Sequence, residues 1–242
     1  DNNDQTTAGT LNVQAAGLLM TAGGKIGDAN VLGTRTPTVN VKAIDTSVTT
    51  LSAQSATGIY VQETNAVTVD TVTVSVKRAD FDSSVMTLSS TLEDLTTTSD
   101  GAIKLVAENG TITVNGGADT TAISADGTGD ILLEARNTTG NTGSDVVIND
   151  SMTSGSGNIS ILAADDVDLN VSGTSISTTG GDVYVLSGNN KTDGISGVDM
   201  AEGTSITTGS ITAAGGSVRV EAQNGGDILL SSIDATGTTN GN

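Results

Sequence analysis

The chain has 242 residues and carries 28 acidic side chains against nine basic ones, a formal charge of −19 at neutral pH. That balance disfavours nucleic acid and anionic lipid as partners, because phosphates are repelled. The absence of His and Cys excludes Ser-His and Cys-His nucleophile pairs and thiolate metal sites.

Tyr60, Phe81 and Tyr184 are the only rings, so the core is expected to be long and thin, filled by small and β-branched side chains. Mean hydropathy is close to zero and apolar residues alternate regularly, which argues for an ordered chain. Val, Ile and Thr suit pleated surfaces, so the regular structure is expected to be almost entirely β.

In chain order, a glycine followed at alternate positions by two apolar residues and a small one first occurs at Gly9, Leu11, Val13 and Ala15. Gly23, Gly24, Gly27 and Asp28 make a ragged version of a calcium-binding glycine nonapeptide that does not recur in series. Val39, Val41 and Ala43 repeat the alternation with Pro37 in place of glycine, and Ile59 with Val61, then Val67, Val69, Val72, Val74 and Val76, keep it without one. Charged residues from Lys77 to Asp100 interrupt the rhythm and predict a protruding loop near 77–100.

From there the pattern is nearly constant: Gly101, Ile103, Leu105, Ala107; Gly129, Ile131, Leu133, Ala135; Gly157, Ile159, Ile161, Ala163; Gly181, Val183, Val185, Ser187; Gly216, Val218, Val220, Ala222. The leading glycines are spaced by 28, 28, 24 and 35 residues, within the range of repeat architectures. Within residues 157–180, Ile159, Ile161 and Ala163, then Val167, Leu169 and Val171, then Ile176, mark short strands. Asp165 and Asp166, Ser172 and Gly173, and Thr179 to Gly181 supply turns between them. Strands this short pair best with their equivalents in the next repeat.

The expected fold is therefore an all-β, parallel β-solenoid, one domain over 1–242 with a less regular part at 1–100. Roughly nine to eleven coils at about 4.8 Å each give a rod of about 45 to 50 Å. A β-sandwich is the alternative, weakened by the lack of a Trp and by a repeat longer than a hairpin. The chain begins at Asp1 without Met and shows no leader-like or membrane-length apolar run, which predicts a processed product or an excised piece and no membrane insertion.

Candidate chemistry is confined to carboxylates. Asp165, Asp166 and Asp168 look superficially like the acid cluster of polygalacturonases, but that family's His-Gly and Arg-x-Lys elements are missing. Asp80 with Asp82, or Asp165 to Asp168, could meet a calcium ion, yet paired Asp residues at a corner are ordinarily solvated turns. No catalytic, cofactor-binding or metal residue is assigned, and the expectation is a non-enzyme without cofactor.

The segments Gly129 to Ala135, Gly157 to Ala163 and Gly225 to Leu230 resemble the repeats of large bacterial exoproteins of the filamentous haemagglutinin type, over residues 101–237. The resemblance implies a right-handed parallel β-helix, a bacterial extracellular or cell-surface location, and a role as adhesin shaft or fibre. Expected partners are further coils of a longer parent chain or copies of itself, end to end, with host or surface glycans beyond them. The alternatives are a carbohydrate-binding or carbohydrate-cleaving β-helix and a calcium-dependent surface-layer protein.

Overall fold

A computed structural model describes residues 11–28, 43–137, 143–169, 173–188, 198–199, 209–223 and 228–236. The chain opens with β1 (Val13–Ala22), β2 (Lys25–Ile26) and the long β3 (Ile44–Ser55). Next come β4 (Gly58–Glu63), β5 (Val67–Val69), the pair β6 (Val72–Ala79) and β7 (Val85–Leu92), and β8 (Leu95–Thr97). Four coils of three strands follow. They are β9–β11 (Ala102–Ala107, Ile112–Val114, Thr121–Ala125), β12–β14 (Ile131–Ala135, Val146–Ile148, Ser151–Ser154), β15–β17 (Ile159–Ala163, Val167–Leu169, Ser175–Thr178) and β18–β20 (Val183–Ser187, Val198–Asp199, Ser210–Ala213). The last coil holds β21–β23 (Val218–Ala222, Ile228–Leu229, Ser232–Asp234).

Three parallel ladders make three faces. The first runs through β2, β4, β9, β12, β15, β18 and β21. The second runs through β5, β10, β13, β16, β19 and β22, and the third through β8, β11, β14, β17, β20 and β23. β3 bends past all three faces, meeting β4, β5 and β8 in turn, and β1 lies on β3. The sheet curls 314° round its axis: the chain is a parallel β-helix.

Register explains why alternation was legible. Ile59, Ile103, Ile131, Ile159 and Val183 stack in one inward column, and Val61, Leu105, Leu133, Ile161 and Val185 in a second; all ten are at most 1% exposed. Each such side chain contributes about 1.5–3 kcal/mol of burial. The third column is Ala107, Ala135 and Ala163, small because the chain turns a corner there.

The recurrent glycines have a cause other than the turn conformation that their position suggests. Gly101, Gly129, Gly157, Gly181 and Gly216 are not among the positive-φ residues. Instead a Cβ on Gly129 would collide with the Gly101 carbonyl, one on Gly157 with that of Gly129, one on Gly181 with that of Gly157, and one on Gly216 with that of Gly181. Only glycine lets backbones of successive coils approach this closely at the corner between the third and first faces. Inward hydroxyls hold the same corner: Thr97 Oγ1 donates to the Gly101 carbonyl at 2.6 Å, Ser154 Oγ to that of Gly129 at 2.8 Å and Thr178 Oγ1 to that of Gly157 at 2.9 Å.

The residues after Gly129, Gly157 and Gly181 link coils through their side chains. Asp130 Oδ1 accepts from the Asn158 backbone N–H at 2.7 Å, Asn158 Oδ1 from that of Asp182 at 2.9 Å, and Asp182 Oδ1 from that of Ser217 at 2.7 Å. A parallel amide ladder runs beyond the second face, where Asn115 Nδ2 donates to Asp70 Oδ2 at 3.0 Å and Asn149 Nδ2 to Asn115 Oδ1 at 2.8 Å.

Several expectations change. The first-face ladder has seven strands among the described residues, preceded by β1, fewer than nine to eleven coils, because the leading glycines stand as much as 28 and 35 residues apart and the β6–β7 hairpin takes a further stretch out of the coils. Val13 pairs with Thr46, which pairs with Glu63, opposite Ala107. The early copy is thus displaced by two residues: alternation fixes which side chains point inward but not their place along the strand. Gly9 and residues 37–42 of the Pro37 copy lie outside the described residues, as do Asn170, Val171, Ser172 and Gly225. The interruption near 77–100 is an antiparallel hairpin beginning earlier, at Val72, while Leu95 to Thr97 have rejoined the third face. Leu162, outward by alternation, is only 4% exposed, stacked between Glu134 and Leu186.

Candidate functional site: carboxylate clusters and open coil ends

Asp165 and Asp166 sit at the corner between the first and second faces, and the fold adds Asp145 from the preceding coil. One carboxylate oxygen from each lies within 4.8 Å of the others. Sequence reasoning missed Asp145, although aligning Asp145 to Ile148 with Asp166 to Leu169, which pair from Val146 and Val167 onward, would have found it. Asp168 does not join; it lies on β16 opposite Val147. The loop answers part of the charge, since the Asp166 N–H donates to Asp145 Oδ1 at 3.1 Å and the Gly143 N–H to Asp165 Oδ2 at 3.2 Å.

Asp80 and Asp82 serve the hairpin tip. Asp80 pairs with Arg78 at 2.9 Å, and Asp82 Oδ1 accepts the Ser84 N–H at 2.9 Å; bonds from Ser84 hold the Asp82 carboxyl below its usual range. Tyr60 is buried at 9% exposure, and Tyr184 lies beneath the Arg219 guanidinium, 5.5 Å from its centroid, with its hydroxyl 3.4 Å from Glu221 Oε2. The ring left in solvent is Phe81.

A second acidic group occupies the corner between the second and third faces. Asp94 is half-buried there, its Oδ1 enclosed without a hydrogen-bond partner. Burial first, then the charges of Asp119, Glu93, Asp150 and Asp70, push its carboxyl up to about 7 from an ordinary 3.8. The folded chain therefore binds this proton more tightly than the unfolded chain. Its contribution makes stability rise as pH falls from about 7 towards 4, and fall as pH rises through 7. Asp94→Asn is expected to raise the thermal midpoint at pH 8 and to flatten that slope. Solvent screening of the open side limits the gain to about 1 kcal/mol. Melting curves of both proteins between pH 4 and 8 check this.

The coil ends form the remaining feature. Among the described residues β21 to β23 pair on one side only, and Ile228, Leu229 and Ile233 are 45%, 58% and 44% exposed. At the other end β1 pairs, among the described residues, only with β3, with Leu11 36% exposed and Val13, Leu18 and Met20 partly covered. No helix caps either end among the described residues. Among the described residues, each end thus presents a strand edge over an apolar interior, the arrangement that invites another strand.

Comparison with known proteins adds no relative: no family model, curated protein or solved structure matches the chain.

Proposed function

We propose that this chain is a non-enzymatic structural protein, the shaft of an extracellular bacterial adhesin or the subunit of a surface fibre, extended by strand stacking between coils. The observation that supports the reading is a stack of coils with in-register inward columns whose first and last strands have, among the described residues, a partner on one side only. The Gly-Asp-Ile and Gly-Asn-Ile repeats, similar to those of filamentous haemagglutinin-type exoproteins, support it further.

Acidity fits the same role. Like-charged flanks resist lateral clumping, while backbone pairing along the axis is short-ranged and withstands the repulsion. A head-to-tail contact that does not close generates a filament rather than a ring. Sedimentation velocity over a range of concentrations tests this. The expected result is growth into long species that Ile233→Asp suppresses, in a protein that circular dichroism and melting show to be folded. A monomer at every concentration for both proteins overturns the self-assembling form of the reading.

A further inference from the structure

The β6–β7 hairpin is attached to the coils by its root alone. From Ser75 to Thr91 every residue is exposed except Asp80 near the tip, whereas Val74 and Leu92 are half-buried and Val72 is buried. Val72 seats against β1, where a Cβ added to Gly17 would meet Val72 Cγ1 at 3.4 Å. Two strands alone are marginal in water, so the state of the root decides how firmly the hairpin is held.

Carboxylates occupy both legs of that root. Asp70 and Asp94 are pinned to nearby positions of β3: the Asp70 N–H donates to the Leu51 carbonyl at 3.4 Å, and the Ala53 N–H to the Asp94 carbonyl at 2.8 Å. The last antiparallel pair is Val72 with Leu92. Two residues further the same register brings Asp70 level with Asp94, a placing of like charges that weakens a hairpin. Glu93 lies on the same leg as Asp94, and the next two coils add Asp119 and Asp150. These four are the charges that act on Asp94, and all are acids.

Each of the four has a donor of its own. Asn115 Nδ2 donates to Asp70 Oδ2 at 3.0 Å, the Ala118 N–H to Glu93 Oε2 at 2.7 Å, the Thr121 N–H to Asp119 Oδ1 at 2.9 Å and the Ser151 N–H to Asp150 Oδ1 at 2.6 Å. Asp94 Oδ1 is enclosed among them with no partner. We propose that the root is a proton-operated latch: a proton on Asp94 closes it by cancelling the charge that faces Asp70, Glu93, Asp119 and Asp150, and loss of that proton lets the legs part and Val72 leave Gly17 while the coils stay stacked.

The direction follows from where the proton is held more tightly. In the closed root, burial and the four acids hold the Asp94 carboxyl at about 7; in an open root, water returns it towards its ordinary 3.8. Closing is therefore favoured at low pH. Opening grows as pH rises towards 7 and levels off above it, where the carboxyl is charged in both states. Between pH 6 and 8 the opening equilibrium increases about tenfold.

Amide hydrogen exchange between pH 5 and 8 tests the latch, with each rate divided by that of an unstructured amide at the same pH. A chelator is present throughout, so that protons alone titrate the acids. The expected result is that amides of β6 and β7 are less protected than those of β12 and β15 and lose about tenfold of their protection from pH 6 to 8. Asp94→Asn removes that loss and keeps the pH 8 value near the parent's value at pH 6. Asp119→Asn, one coil away, moves the levelling-off to lower pH and keeps the test decisive if Asp94→Asn does not fold. Hairpin protection that is the same at pH 6 and 8, or that falls equally in the parent and both variants, overturns the latch. Protection equal to that of β12 and β15 at every pH also overturns it, because the hairpin then opens only with the coils.

Discussion

Gly157→Ala is expected to cost about 3 kcal/mol or more and to split unfolding into two transitions. The added methyl would collide with the carbonyl of Gly129 and crowd Thr128 O at 2.8 Å. Both are backbone atoms in a ladder whose spacing is set by hydrogen bonds on three faces, so no rotamer change relieves the clash. The coils must part, and a parallel stack depends on contacts between neighbours. The strands β12, β13 and β14 then lose their pairing with β15, β16 and β17. Overpacking in a core ordinarily costs about 1–3 kcal/mol, and the absence of a flexible neighbour places this case at or above that range. Gly23→Ala is the control: nothing lies within 4 Å of its Cβ, and its effect should stay within about 0.5 kcal/mol. Calorimetry of the three proteins decides the matter, and equal midpoints would refute the close-approach account of the glycine column.

Glu63→Ala should be comparably damaging although it creates the residue found at the equivalent place in the next three coils. Glu63 is fully buried in the column continued by Ala107, Ala135 and Ala163. Its Oε2 accepts from Thr46 Oγ1 at 2.6 Å and the Val48 N–H at 3.0 Å, and its Oε1 from the N–H groups of Thr64 at 3.0 Å and Asn65 at 3.2 Å. The carboxylate gathers donors where β3 runs past the first face towards the second without a turn of its own. Alanine leaves the Val48 and Asn65 N–H groups without this acceptor, whereas the Thr64 N–H keeps the Thr46 carbonyl at 2.9 Å and Thr46 Oγ1 the Gln62 carbonyl at 3.5 Å; at about 1–3 kcal/mol for each donor that water cannot reach, with the cavity left by the side chain added, the loss is about 3 kcal/mol. Glu63→Gln retains one acceptor oxygen but presents an amide N–H2 to two donors, so it should fall between. Urea melts that rank Ala equal to the parent would show that the donors find other acceptors.

These two residues also show what the sequence could and could not disclose. Inward positions were readable because a side chain in a strand alternates strictly, and the repeats from Gly101 onward stack with their motifs in register. The glycine was readable as a signature, but its cause was not: a turn residue and a residue under a neighbouring carbonyl look alike until the next coil is placed above it. Glu63 was invisible because its donors come from Thr46, Val48, Thr64 and Asn65, which no local pattern unites. Asp145 was missed for the same reason, being joined to Asp165 and Asp166 only by stacking. The hairpin was half seen: charges from Lys77 onward marked an interruption, but Val72, Val74 and Val76 continue the alternation of Val67 and Val69 and hid its start. The stretch that breaks the helix obeys the same period as the helix.

Cryo-electron microscopy of the native protein in its own buffer tests axial stacking most directly. Seven coils and β1 at about 4.8 Å per level predict unbranched filaments with an axial subunit repeat of about 35–40 Å and strand density continuous across each subunit boundary. Discrete particles one subunit long, at concentrations where the open ends meet freely, would contradict it.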